Sequence, residues 1–278
     1  MTKNLLKTLL VPGLALALSA PAFAQDGTVT LNETGNGGEA PAADAPAAAA
    51  GGKYPVKFAA RPLTLPKMTL VPKLDITIRR LAFGGLGGDT SFGFAIGAAF
   101  GVIDDLEVRA TLIPIRVTPG GGFGQMGIGA TYRFMRGNFE VGADLALGIP
   151  TEGDFGITPS LVGLLHSGNF RLDVGAGVAL VFSDPEVGKE LQIPIRANLN
   201  FQDAFYAFLA TGIFLPNFDN LRVPLGLGAG YTIAKGPVPM LDLGFSFTFD
   251  NYLRTGFGDT LNFDSFTVLI TGKFYLFL

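Results

Sequence analysis

The sequence predicts an all-β fold, a closed antiparallel up-and-down β-barrel of about 12 strands. Three observations carry this prediction. Apolar residues alternate with small or polar ones along most of the chain, which is the period of a strand and not of a helix. The composition, with 39 glycines and 25 phenylalanines, favours an all-β protein. The connections between the alternating segments are short and long in turn.

Overall composition excludes several classes of protein. The chain is 48% hydrophobic, yet after the N-terminal segment it contains no apolar run long enough for a spanning helix. It has no cysteine, which excludes disulfides, thiol nucleophiles and cysteine-based metal sites. The formal net charge is −3 and no basic stripe occurs, so we expect no nucleic-acid partner.

Residues 1–24 have the pattern of a secretory signal peptide. Lys3 and Lys7 give a positive start, Leu9–Ser19 is the apolar stretch, and Ala22-Phe23-Ala24 is a small-x-small cleavage site. We expect cleavage after Ala24. A retained membrane anchor is the alternative, and the shortness of the apolar run argues against it.

Residues 25–67 precede the regular pattern. The stretch 25–52 is rich in alanine, proline, glycine and acidic residues, and is predicted to be a disordered periplasmic linker. The stretch 53–67 holds three prolines and is predicted to be an extended entry segment. The barrel is then expected to occupy 68–278.

Within 68–278 the period-two pattern divides the chain into twelve segments, whose faces alternate consistently. They are predicted at 69–83, 90–102, 105–117, 123–135, 138–149, 156–166, 169–182, 189–201, 204–215, 222–234, 239–250 and 262–278. The segment 138–149 is an example: its apolar face holds Phe139, Val141, Ala143, Leu145, Leu147 and Ile149, and its other face Glu140, Gly142, Asp144, Ala146 and Gly148. Such segments have the length of tilted membrane strands.

The connections also indicate orientation in a membrane. Tight ones are predicted at 103–104, 136–138, 167–169, 202–203 and 235–237, and mostly longer ones at 84–89, 118–122, 150–155, 183–188, 216–221 and 251–261. Outer-membrane barrels have short periplasmic turns and longer outer loops, and an even strand number puts both termini in the periplasm. Phe134, Phe139, Phe201 and Phe205 flank the tight turns, and Phe92, Phe182 and Phe214 fall toward the other rim, as aromatic belts would.

A soluble barrel or sandwich with its apolar residues inside is the alternative fold. Its second face would meet water and would be rich in lysine, glutamate and threonine. Here that face is rich in glycine and alanine with few charges. We therefore expect the apolar face to meet lipid and the second face to line a lumen.

The predicted lumen contains one group of candidate functional residues, which we call the charged layer because most lie near the periplasmic ends of their strands. Its members are Asp75, Glu107, Arg109, Arg133, Glu140, Asp144, Arg171, Asp173, Arg196, Asp242 and Lys273. With Lys73, Arg79 and Glu190 on the same face, the two signs balance, and opposite charges in a confined lumen are expected to pair. Small residues such as Gly226, Gly228 and Gly230 line the upper lumen.

Two functions remain open for this layer. It is either the constriction of a pore, since rings of charged side chains set selectivity, or an internal salt-bridge network that closes the lumen. No catalytic group is found: His166 is the single histidine, expected at the rim beside a tight turn, and a His/Cys metal site cannot be assembled. We expect neither an enzyme nor a cofactor.

Two stretches carry a resemblance to known proteins. Phe100–Val108 (FGVIDDLEV) and Arg61–Pro66 (RPLTLP) resemble segments of outer-membrane β-barrels that include relatives of the meta-pathway phenol-degradation type. The resemblance covers roughly 61–278. It implies an outer-membrane conduit for small, hydrophobic molecules and carries no site residues. The end, Lys273–Leu278, resembles the C-terminal signal read by the barrel-assembly machinery, but it ends in Leu278 with the aromatic at Phe277.

These observations together predict a monomeric barrel in the bacterial outer membrane, exported through a cleaved signal peptide. Its expected partners are outer-membrane lipid and the barrel-assembly machinery. The expected function is a passive channel or transporter for small solutes. The alternative is a structural or surface-binding barrel with its lumen closed by the salt-bridge network.

Overall fold

The alternation of residues determines which way each strand faces. In the computed structural model, which describes residues 54–83, 86–118, 121–150, 154–182, 187–255, 261 and 263–278, the two faces separate as the pattern predicts. In the strand Phe139–Ile149, for example, Leu145 is 42% exposed on the outer surface, whereas Glu140 is 5% exposed. Successive side chains of a strand point to opposite faces, so the register of a strand fixes which face each of its residues occupies.

Twelve long strands and two short ones make up the sheet. They are β1 (Thr69–Phe83), β2 (Leu86–Ile103), β3 (Leu106–Thr118), β4 (Gly122–Phe123), β5 (Met126–Met135), β6 (Phe139–Ile149), β7 (Phe155–Ser167), β8 (Phe170–Phe182), β9 (Val187–Asn200), β10 (Phe205–Pro216), β11 (Arg222–Lys235), β12 (Val238–Arg254), β13 (Phe266–Phe274) and β14 (Leu276–Phe277). Among the described residues, no helix is long and apolar enough to cross a membrane.

The predicted closed barrel is confirmed. Each long strand pairs antiparallel with the next along the chain, and β13 pairs back with β1 from Lys73↔Lys273 to Arg80↔Phe266. The short strand β4 extends the pairing of β3, and β14 pairs with the start of β1. Closure leaves the twelve long strands without an open edge, which a sheet in lipid requires.

Pro72 lies inside β1, where a residue without an N–H would interrupt a ladder. Val71 and Pro72 pair with Ala99 and Ala98 of β2, but have no partner on the side of β13 and β14. The gap faces Tyr275, whose own N–H donates to the carbonyl of Met240 instead. Pro72 therefore falls where the ladder is already broken.

The tight turns lie at one end of the barrel, where Gly168 and Gly236 supply positive φ angles of 61° and 64°. At the other end, two predicted loops are shorter than expected. The loop predicted at 84–89 is wrong in extent, since Phe83 of β1 pairs with Leu86 of β2. Strand β12 continues to Arg254, beyond its predicted end, because Arg222 of β11 still pairs with Arg254. Glycine and asparagine in these stretches indicated loops, although backbone pairing does not require a particular side chain.

Candidate functional site

The charged layer consists of inward-facing positions on eight strands. These positions are Asp75 on β1, Glu107 and Arg109 on β3, Arg133 on β5, Glu140 and Asp144 on β6, Arg171 and Asp173 on β8, Arg196 on β9, Asp242 on β12 and Lys273 on β13. Glu107, Arg133, Glu140, Arg171, Asp173 and Asp242 are buried. The structure thus collects these side chains in the half of the lumen nearest the tight turns.

Most of the charges in this layer form ion pairs, either between strands or between two positions of one strand. Arg133 Nη1 lies 2.9 Å from Glu140 Oε2, and Arg109 Nη1 lies 2.7 Å from Asp144 Oδ1. Along β8, Arg171 Nε lies 2.7 Å from Asp173 Oδ1. Asp75 pairs with Lys73 at 2.7 Å. Opposite charges in a confined lumen are expected to pair, and these contacts are of that kind.

Arg196 departs from the expected pairing. Its cross-strand neighbour on β8 is Asp173, but both oxygens of that carboxylate are engaged, Oδ1 by Arg171 and Oδ2 by the Asn198 amide. Within the described ranges, Arg196 makes no hydrogen bond or ion pair, and its Nε is buried without an acceptor. The guanidinium lies instead over the ring of Phe208, 3.8 Å from its centroid.

Residues 54–67, which we call the N-terminal plug, lie inside the barrel. The sequence predicts an extended entry to the first strand, whereas the structure places this segment across the lumen at the tight-turn end, with a 3-10 turn at Phe58–Ala60. It contacts strands all round the barrel, among them β3, β6, β8 and β12. Its buried residues are Tyr54, Phe58, Ala59, Arg61, Leu63, Thr64 and Leu65.

Arg61 anchors the plug. Its guanidinium, 1% exposed, pairs with Asp242 and donates to the hydroxyls of Tyr275 and Thr232, each at 3.0 Å. It also lies 5.3 Å from the ring centroid of Tyr275 and 5.4 Å from that of Tyr54. A planar guanidinium suits this arrangement because it bonds at its edge and stacks on its face. Asp242 of the charged layer therefore pairs with the plug.

The plug backbone is held by other members of the charged layer. The N–H of Leu63 donates to Glu140 Oε2 at 2.8 Å, and the N–H of Leu65 donates to Glu107 Oε2 at 3.1 Å. Arg171 Nη1 donates to the carbonyl of Arg61 at 2.6 Å. Buried backbone groups outside a sheet need such partners. The two carboxylates and the guanidinium provide them.

His166 and Asn200 complete this set of contacts. His166 Nδ1 lies 2.6 Å from the carbonyl oxygen of Ala59, and Asn200 Oδ1 accepts from the N–H of Ala59 at 2.8 Å. The prediction that His166 is a rim residue is wrong, since its side chain is buried in the lumen. The plug fills that space, and nothing local in the sequence around His166 indicates this.

Large aromatic side chains of β10 also face the lumen. Tyr206, Phe208 and Phe214 point inward, and Phe58 of the plug stacks on Tyr206 with ring centroids 4.2 Å apart. The assignment of Phe214 to an outer aromatic belt is wrong, because it is buried and lies beside Arg222. These rings occupy the space that the inward glycines of β11 leave. A Cβ at Gly228 would lie 2.3 Å from the ring of Phe208.

Beyond the plug lies a cavity that we call the outer chamber, about 1660 Å³ including its solvent-filled mouth. Its floor is made by Phe58, Arg196, Asp242 and Lys273, and one wall by the β10 aromatics. A second wall, on β1, β12 and β13, carries the hydroxyls of Thr77, Ser246, Thr248, Thr267 and Thr271. Toward the outer end, Arg79 pairs with Asp250 at 3.2 Å and Arg222 with Glu190 at 2.8 Å. The plug thus crosses one end of the lumen, and this chamber lies beyond it.

The part of the chain that the structure describes contains no cluster of three histidine or acidic side chains that could hold a metal ion. The carboxylates of the charged layer are engaged by arginines, by Lys73 or by the plug backbone. The arrangement is therefore suited to holding a segment of chain and to surrounding a solute.

Solved barrels of the outer membrane have the same fold. An outer membrane channel from Pseudomonas putida F1 aligns with a TM-score of 0.52 at 10% identity, over 77% of this chain and 97% of that chain. The KdgM porin in complex with disordered oligogalacturonate aligns with a TM-score of 0.51 at 6% identity, over 73% and 98%. No family model and no curated protein matches the chain, the meta-pathway phenol-degradation type included. At these identities the likeness is one of fold, and that fold is the outer-membrane β-barrel.

Proposed function

We propose that this chain is an outer-membrane channel for small solutes whose periplasmic end is occupied by its own N-terminal plug. The observation that carries the proposal is the division of the lumen. An open outer chamber ends directly on Phe58, and below it the plug contacts strands around the barrel. A purely structural barrel would have no need of a chamber of this size above a separable segment.

The proposed location follows from the sequence and the fold. Export through the signal peptide, with cleavage after Ala24, delivers the chain to the periplasm. The outward apolar face of the barrel then meets outer-membrane lipid. Insertion uses the C-terminal strand, where Leu276 and Phe277 of β14 pair with Leu70 and Thr69 of β1. Closure of the sheet within one chain supports a monomer, and we propose no catalytic activity.

The plug is suited to leave the lumen because it is not part of the sheet. Its described contacts are hydrogen bonds, the ion pair of Arg61, ring contacts and the packing of Tyr54 and Leu65 on Val71 and Tyr275, whereas barrel closure depends on β1 and β13. It joins the barrel only at its C-terminal end, next to Met68. Its withdrawal would expose charged side chains to water in the lumen, which solvates them. Opening therefore breaks local contacts and leaves the strands paired.

The test is single-channel conductance in a planar bilayer. The mature protein is compared with a chain that lacks residues 54–67, both shown to be folded by heat-shifted gel mobility. We expect rare or small steps from the mature protein and steady, salt-dependent steps from the deletion. Silence from both folded proteins would contradict the channel.

The second candidate function is a structural or surface-binding barrel with a permanently closed lumen. It is favoured by the buried pairs Arg133–Glu140 and Arg171–Asp173, which remain when the plug is removed. Under this alternative the deletion stays silent, and binding partners would be sought at the outer loops.

A further inference from the structure

In the floor of the outer chamber, Arg196 makes no ion pair or hydrogen bond with any residue that the structure describes. Arg196 projects from β9 into the lumen, where it lines the chamber together with Phe208 and Phe58. Asp173, the nearest carboxylate by strand register, is already bound by Arg171 and Asn198. A half-buried charge is costly to leave without a partner, so the position of Arg196 at the edge of a cavity is informative.

The guanidinium of Arg196 is held by ring contacts and not by hydrogen bonds to the described residues. Its central carbon lies 3.8 Å from the ring centroid of Phe208 and 5.4 Å from that of Phe58, so its flat face is used in stacking. A guanidinium donates hydrogen bonds from its edge, in a fork that matches the two oxygens of a carboxylate. Among the described residues no acceptor meets that edge.

The chamber above Arg196 suits an apolar body attached to such an anion. Phe208, Phe214 and Tyr206 form an aromatic wall, and Leu269 adds an aliphatic surface. Threonine hydroxyls on the wall formed by β1, β12 and β13 can meet water or a polar substituent. Ligand sites in proteins commonly combine a largely apolar lining with a few placed polar groups.

We infer that the outer chamber binds an amphipathic organic monocarboxylate, with its carboxylate on Arg196 and its apolar body against the β10 aromatic wall. This assignment rests on the proposed channel and names the class of solute for that same lumen. Lys273 lines the same floor and adds a second positive charge beside the site. The carboxylate would thus bind directly above the plug.

The test is binding of 2-naphthoate and of neutral 2-naphthamide to the mature protein in lipid nanodiscs, measured by isothermal titration calorimetry. The two probes share an aromatic body and differ in charge. A carboxylate held by Arg196 should bind roughly tenfold to a hundredfold more tightly than the amide, the range expected for hydrogen bonds to a charged group. Equal affinity for the two probes would overturn the inference, and this comparison needs no variant.

Variants then locate the site. Arg196→Met keeps the length of the side chain and removes its charge, and should abolish the preference for 2-naphthoate. Arg80→Met is the matched control, since Arg80 is exposed and does not line the chamber. An unchanged preference in a folded Arg196→Met protein would contradict the assignment. A barrel that conducts but binds both probes equally lacks the carboxylate site, whereas one that prefers 2-naphthoate and never conducts is not a channel.

Discussion

At the scale of single residues, Arg61 has the largest consequence for the lumen. It lies 181 positions from Asp242 along the chain, and the two are buried together. Removing one member of a buried pair leaves the other charge without compensation, which costs about 3–5 kcal/mol. The plug is therefore held by a contact that a single substitution can remove.

We expect Arg61→Met to loosen the plug and to increase the fraction of time the channel is open. The measurement is open probability in a planar bilayer. Lys67→Met is the matched control, because it removes the same charge from the same segment at an exposed side chain. Equal open probabilities for the two variants would show that Arg61 does not hold the plug.

A second residue-scale prediction concerns pH. Asp105, in the turn between β2 and β3, accepts a hydrogen bond from Arg136 Nε at 2.7 Å and lies 3.0 Å from Arg133 Nε. The hydrogen bond from Arg136 holds the pKa of Asp105 below its ordinary value, although partial burial opposes it. Because the folded pKa is the lower one, this stabilisation is present above the ordinary pKa and is lost as the pH falls through the folded pKa.

Asp105→Asn should therefore lower the free energy of unfolding at neutral pH and flatten its decline in acid. Urea unfolding of the refolded protein at several pH values measures this. Asp219→Asn, at an exposed carboxylate in the turn before β11, is the control. If the free energies of unfolding of wild type and Asp105→Asn changed with pH in parallel, this would argue against stabilisation by the contacts of Asp105 with Arg133 and Arg136.

At the scale of elements, the sequence was informative wherever the period-two pattern held. The faces of β6, β8 and β12 match the prediction because alternation is local and each strand repeats it. The N-terminal plug has no such repeat. Its apolar residues, Phe58, Leu63 and Leu65, lie among prolines without a period, and they are buried only by strands distant in sequence.

The charged layer also shows how far alternation alone can predict the structure. Which side chains face the lumen could be predicted from alternation, but their partners could not, since these depend on register between strands and on the plug. The pairing of Asp242 with Arg61 and the isolation of Arg196 are examples. The apolar residues around Arg61 were the available sequence signal for a segment inside the lumen.

Strand β11 gives a prediction at this scale. Gly228 faces the ring of Phe208, and a Cβ there would also lie 2.5 Å from the backbone oxygen of Phe245. Gly228→Ala should lower the free energy of unfolding by about 1–3 kcal/mol, as overpacking does. The measurement is the urea midpoint. Gly127→Ala is the control, since its Cβ would meet nothing closer than 3.9 Å; an equal loss in both variants would contradict the packing argument.

At the scale of the whole molecule, the sheet of the barrel closes without the plug. The closed sheet is completed by β1 and β13, and no strand pairing includes residues 54–67. A chain without these residues should therefore still fold, with heat-shifted gel mobility and strand content like those of the mature protein. Failure to refold would mean that the plug is part of the folding core.

The central claim is that the plug closes the periplasmic end of a channel, and a reversible cross-link tests it most directly. Ala59→Cys and Asn200→Cys place two thiols where the N–H of Ala59 now meets Asn200 Oδ1 at 2.8 Å, in a chain that has no other cysteine. Each single-cysteine variant is a control. We predict a silent channel when the disulfide is formed and conductance steps after reduction. The same conductance before and after reduction would contradict closure by the plug.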